Sequence, residues 1–377
     1  MRRGLVSALA TILASCLASG AARAEEELRI ALASGQSTVE LAGEGLAIYD
    51  GDVGDALVRA KGRGTARLVA KQDGLQIQGA PGAPSGTIRH VIVEATDAVA
   101  VGKGVYFGRV EVGPDPERRG QLLVVNRLPL ETYLLGIVGS EMNPSWPLEA
   151  LKAQAVAART YAMQRRAMMR AANRPYDLAS SVISQVYKGA ERIRPAVIQA
   201  VKETRGEVMS HHHELVEALF HSTCGGHTVT AQQAFGSPVP YLQRQTCEWC
   251  RPSGRYRWSL SYTVPELSRR LSKAGLLKGT LRAVERTGPD DALRIQDGGG
   301  RRTLDPRQLR RALGFSTLFS ERFSAHTKSG RVAFQGLGFG HGVGMCQWGA
   351  RGQALEGRTY RQILEHYYRG IELKHMY

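Results

Sequence analysis

Along this chain the apolar positions change period. From residue 28 to 125 they come in short runs, alternating or continuously apolar, separated by Gly, Asp and Pro: 28–32, 66–69, 74–78, 91–94, 108–112 and 122–125. Runs of this kind bounded by turn residues predict β-strands. From 130 to 138 the apolar residues fall at helical spacing, and Gly139-Ser140 predicts its end. Residues 141–145, with Asn143-Pro144, predict an exposed loop. Pro147 in a first turn, with Ser145 as its cap, predicts the start of a second helix. The interior of that helix, 150–162, is rich in alanine and other good helix formers and so can pack closely.

Further on, the pattern predicts a short helix over 195–203. It then predicts a hairpin of 206–209 and 215–220 with His211-His212-His213 at its tip. A strand over 256–263, a helix over 265–274 and strands over 281–286 and 293–296 follow. Asp305-Pro306 caps a helix ending near Gly314, and a strand begins at 331. Helices near 347–356 and 360–369 each meet a glycine stop, Gly357 and Gly370. Neither an internal repeat nor a low-complexity linker interrupts the series. The expectation is an α+β protein: a β-rich N-terminal region over 25–120, then a region over 121–377 in which helices pack on antiparallel strands.

Residues 1–24 read as a secretory signal peptide. Met1-Arg2-Arg3 is a positive start, 4–19 is small and apolar, and Ala22-Arg23-Ala24 is an A-x-A cleavage site. No later stretch is long and apolar enough to span a bilayer. The protein is therefore expected to be exported, to the periplasm or cell envelope, with no transmembrane segment once the signal is removed. Leu13-Ala14-Ser15-Cys16 also resembles a lipobox, which would anchor the chain at Cys16; the A-x-A site ranks above it. Net charge is +16, and removing Arg2, Arg3 and Arg23 leaves about +13. A basic exported chain meets anionic polymers. Export argues against nucleic acid and for cell-wall glycan with its lactyl carboxylates.

Four features carry candidate chemistry. Glu141 is a lone carboxylate set against apolar helix, where burial can keep an acid protonated at neutral pH, as glycosidic cleavage requires. Around His341, glycines fall at every second position from 336 to 344; this fits neither a dinucleotide nor a phosphate loop. Such a backbone either lets a bulky ligand approach or lets two backbones cross. Cys224 and Cys247-x-x-Cys250 with one histidine, His227 or His221, form a Cys₃His set that fits a single structural zinc. Disulfides in an oxidising compartment, or free thiols, are the competing readings. His211-His212-His213 reads as solvated surface, and no G-x-S-x-G elbow supports a serine triad.

The blocks LPLETYLLGIVGSEM, PLEALKAQAVAARTYA, SQVYKG, HSTCGGHT and GFGHGVGMCQWGARGQALEG, in this order, together resemble the SpoIID/LytB family, named for stage II sporulation protein D and an amidase enhancer. The resemblance runs from about 121 to about 370. It implies a lytic transglycosylase acting on peptidoglycan glycan strands already stripped of peptide. The family's catalytic glutamate falls on Glu141. Its other elements fall on Gln185 and Tyr187, on His221, Ser222 and Thr223, and on His341 and Gln347, as substrate-cleft residues. A single acid suits this chemistry, because the muramic C6 hydroxyl serves as internal nucleophile. The alternative is a non-catalytic glycan-binding protein that stimulates a cell-wall amidase. Cys224, Cys247 and Cys250 stand where many members have nothing comparable, which suggests a metal-stabilised subgroup.

Overall fold

The computed structural model describes residues 26–180, 187 and 189–377. The signal segment and Gln185 lie outside the described residues. The chain is α+β, in two compact units: residues up to Met209 together with Leu373–Tyr377, and Ser210–Glu372. The boundary expected near 121 falls inside the first unit. There Leu122–Pro129 is an inner strand of a sheet and runs directly into a helix.

In the first unit, strand Glu27–Gln36 pairs antiparallel with Leu122–Pro129, Leu28 opposite Leu128, and parallel with the short strand Leu178–Ala179. Seven strands form this sheet, and five others, among them Thr38–Glu44 and Arg63–Lys71, form a second. Alternation puts one face of each strand inward. Val39, Leu41 and Leu68 of the five-stranded sheet share a single core with Ile48, Val93 and Val112 of the larger one. Burying two such faces against each other is the ordinary way for sheets to satisfy their apolar sides. All six strands expected here form. The pattern missed five more, including Ala47–Asp50 and Ala56–Arg59, which are short.

Helix Leu130–Glu141 is buried from Tyr133 to Gly139 without interruption. It continues past the stop expected at Gly139-Ser140. Gly139 is a packing position: an added Cβ would lie 2.3 Å from the Arg192 carbonyl oxygen. The helix ends when Met142 turns extended, its N–H donating to Val138 O at 3.0 Å. Met142 is itself buried, so the expected exposed loop starts only at Asn143, whose Oδ1 accepts from Ser145 N at 3.0 Å. Ser145 does not cap the next helix; Pro147 precedes Leu148–Ala171 without a side-chain cap. Ala150, Ala153, Ala157 and Ala158 are fully buried in it, as the alanine-rich interior suggested.

In the second unit, strands Arg257–Thr263, Arg331–Leu337 and Phe323–Lys328 form one sheet. Helices Val264–Lys273 and Pro306–Leu313 add Leu267, Leu271 and Leu309 to its core. Asp305 caps the second of these helices, accepting from Arg307 N at 2.8 Å, and Gly314 follows. The hairpin tip expected at His211–His213 forms, with Ser210 opposite Leu215. Its second strand is only Glu214–Leu215. Phe220, expected to end it, instead joins His221 in a short strand that pairs in parallel with Met345–Cys346.

Candidate functional site

Glu141 is the last residue of helix Leu130–Glu141 and is half-buried. The carbonyl end of a helix carries partial negative charge, and no basic side chain stands in this last turn. Burial, and next the Glu141 carboxylate, push the Tyr133 phenol well above its ordinary value, so Tyr133 stays neutral. Tyr187 is buried. Its hydroxyl donates to Asn126 Oδ1 at 2.9 Å, and its ring lies 5.2 Å from that of Tyr133 and 5.7 Å from that of Tyr106. Tyr187 is thus a buried prop for the Glu141 helix. Gly136 admits it: a Cβ there would lie 2.8 Å from the Tyr187 ring.

Two residues that sequence reasoning passed over fix this helix. Arg159, fully buried on helix Leu148–Ala171, donates from Nε and Nη2 to the two oxygens of Glu131 at 2.7 and 2.8 Å. Tyr377 Oη donates to Glu131 Oε1 at 2.5 Å, and Arg159 Nη1 donates to Glu207 O at 3.1 Å. An arginine inside the small-residue run 153–162 was the available signal.

Within the second unit the structure brings together His221, Ser222, Thr223, His341 and Gln347. Thr223 and Phe339 exchange backbone hydrogen bonds at 3.0 and 2.7 Å, and Trp348 N donates to Ser222 O at 3.1 Å. The glycines of the 336–344 loop make this crossing possible. Gly340 has φ +116°, and a Cβ there would lie 2.6 Å from His221 Cβ; one on Gly344 would lie 2.0 Å from Leu219 O. Of the two readings of this loop, close backbone packing is the contact observed.

The two histidines are held in defined tautomers. His221 Nδ1 lies 3.0 Å from the Val343 carbonyl and so donates to it, leaving Nε2 buried without a hydrogen-bond partner among the described residues. Val343 N donates to His341 Nδ1 at 3.1 Å, so His341 Nε2 carries the proton and donates to Phe220 O at 3.0 Å. Burial, and next His341, push His221 down to about 3; burial pushes His341 down to about 4. Both are neutral near pH 7. Thr223 Oγ1 is satisfied by Ser253 Oγ at 2.8 Å, and Gln347 is buried at the start of helix Gln347–Leu355. His341 and His227 also line a cleft of about 450 Å³ whose walls include Arg244, Arg307, Asp290 and Glu321.

The cysteines depart from the expected Cys₃His set. Cys224, Cys247, Cys250 and Cys346 are all buried, and their sulfur atoms lie within 4.8 Å of one another. The fourth member is Cys346. His227 is engaged elsewhere, its Nε2 accepting from Arg322 Nη2 at 2.9 Å, and His221 is turned to Val343. Cys224 and Cys250 sulfurs are 3.4 Å apart, far beyond the length of a disulfide bond. Hydrogen bonds with Cys247 and Cys250 push Cys224 up, burial pushes Cys346 up, and hydrogen bonds from Cys224 pull Cys250 down.

The family model described as Stage II sporulation protein matches residues 118–211. An uncharacterised protein of Brachyspira hyodysenteriae is 32% identical over 289 residues, 75% of this chain and 76% of that one. Stage II sporulation protein D of Bacillus subtilis is 31% identical over 269 residues, covering 66% of this chain and 75% of its own. The amidase enhancer of the same organism is 27% identical over 294 residues, 64% of this chain and 40% of that protein. The blocks around Glu141, Tyr187, His221 and His341 lie in a chain that belongs to the SpoIID/LytB family.

Proposed function

We propose that this protein is an exported cell-wall enzyme, a lytic transglycosylase that cleaves the bond between MurNAc and GlcNAc in peptide-stripped glycan strands. The observation that carries the reading is the contrast between the two glutamates of helix Leu130–Glu141. Glu131 is only 7% exposed and ion-paired inside the protein, where no polymer can reach it. Glu141 is only partly buried at the helix end, beside the partial negative charge of the last carbonyls. Protonated Glu141 donates its proton to the glycosidic oxygen as the C1–O bond breaks. The resulting carboxylate takes the proton of the muramic C6 hydroxyl as O6 bonds to C1, which gives a 1,6-anhydro end and restores the acid. No second carboxylate or activated water is required. Gln185, Ser222, His341 and Gln347 are assigned to glycan binding, and Tyr187 positions the acid's helix.

Membership of a family whose relatives include stage II sporulation protein D and an amidase enhancer supports a cell-wall role. The basic charge, about +13 once the signal segment is removed, supports a polyanionic substrate. Glu141→Gln removes the proton that is transferred while keeping shape and hydrogen bonding. Turnover of peptide-free strands should vanish, with a loss of at least about 100-fold, while strand binding measured by co-sedimentation stays. Retained turnover sinks the assignment. The relative named amidase enhancer favours a second reading, in which the chain binds glycan and stimulates a cell-wall amidase. Amidase stimulation left intact by Glu141→Gln, in a protein without turnover of its own, would favour it.

A further inference from the structure

We propose that Cys224, Cys247, Cys250 and Cys346 bind one zinc ion as four thiolates, in a closed structural site. Three separate segments supply the sulfurs: the loop after His221, the Cys247-x-x-Cys250 turn, and the end of the glycine loop. A tetrahedral ion with sulfur at about 2.3 Å requires sulfurs about 3.8 Å apart. The four sulfurs here, all within 4.8 Å of one another with one pair at 3.4 Å, already meet that spacing.

The surroundings are those a bound tetrathiolate needs. Backbone N–H groups of Cys224 and Gly349 donate to Cys346 Sγ at 3.2 and 3.3 Å, and Tyr367 Oη lies 3.2 Å from Cys247 Sγ, placed to donate to a thiolate. Such outer hydrogen bonds orient ligands and stabilise their charge. The half-turn Glu248–Cys250 brings the paired cysteines onto one side. Gly349 leaves the room: a Cβ there would lie 2.4 Å from Cys247 Sγ and 2.0 Å from Tyr367 Oη. The Arg322 guanidinium, hydrogen-bonded to Cys224 O at 2.5 Å, offsets the net negative charge of zinc with four thiolates. Four protein ligands leave no open coordination position, so the ion takes no part in bond cleavage. It clamps the His221 segment to the end of the loop that carries His341. This assignment is independent of the transglycosylase reading.

The test is metal analysis and zinc X-ray absorption on the whole protein purified without chelators. One zinc per chain with four sulfurs near 2.3 Å is expected. Three sulfurs and one nitrogen would overturn Cys346 as the fourth ligand. Absence of zinc, or two disulfides by mass, would overturn the site. His227→Ala should keep one zinc per chain, whereas Cys346→Ser should lose it to a competing chelator at least about 10-fold more readily. A Cys346→Ser chain that holds zinc as tightly as the unaltered protein contradicts the proposal. The absorption measurement on the unaltered chain decides the ligand set should that variant fail to fold.

Discussion

Glu131 and Glu141 are the two acids of one helix, and their surroundings give them different roles. Glu131 neutralises Arg159 in the interior. Removing the cation alone would leave a buried carboxylate, so Arg159→Ala should destabilise the protein by about 3–5 kcal/mol, read by denaturant unfolding. A change under 1 kcal/mol would contradict a buried, bidentate pair. His341 offers a pH test. Its pKa is depressed from 6.5 in the unfolded chain to about 4 when folded, because burial disfavours the charged imidazolium. The unfolded chain therefore binds more protons between these values. The stabilisation is complete above pH 6.5 and is lost as pH falls through about 4. The difference in stability between the unaltered protein and His341→Asn should shrink by up to roughly 3 kcal/mol across that window; a difference independent of pH would refute it. Glu141 was legible in the sequence because it ends an apolar run beside a turn. Cys346 was not, since folding alone brings it to Cys224, and nearby histidines were the only fourth ligand that spacing offered.

At the scale of elements, helix Leu130–Glu141 is positioned by its glycines. Gly136 and Gly139 form one face, against which Tyr187, Gly189 and Arg192 pass. The same residue types that end helices elsewhere here allow a helix to be crossed, so the sequence pattern placed the end of this helix too early. Gly139→Ala puts a methyl group 2.3 Å from the Arg192 carbonyl oxygen, and backbone cannot yield as a side chain can. A loss of about 1–3 kcal/mol is expected, with reduced turnover because Glu141 ends the displaced helix. Unchanged stability, measured by thermal unfolding, would show that the crossing is looser than described. Strands and helices with strong periodicity, such as Val91–Glu94 and Pro306–Leu313, appear where the pattern put them. Phe220–His221 does not, because a parallel partner 125 residues along the chain outcompetes the local hairpin.

At the scale of the molecule, the chain assigns its expected roles to two units. Glu141 and Tyr187 belong to the first, and the His221–His341 pair and the cysteine cluster to the second. The α+β class and the β-rich start were legible from periodicity alone. The division into units was not, because the final residues 373–377 return to the first unit, where Met376 N donates to Gly206 O at 3.0 Å. Among the described residues no helix is long and apolar enough to cross a membrane. The most direct test of the proposed activity is mass spectrometry of the products formed from peptide-free and peptide-bearing glycan strands. Anhydromuramic ends from the peptide-free strands alone are predicted. Reducing ends would contradict single-acid chemistry and require a water-activating group, and intact strands bound without cleavage would contradict the enzyme itself.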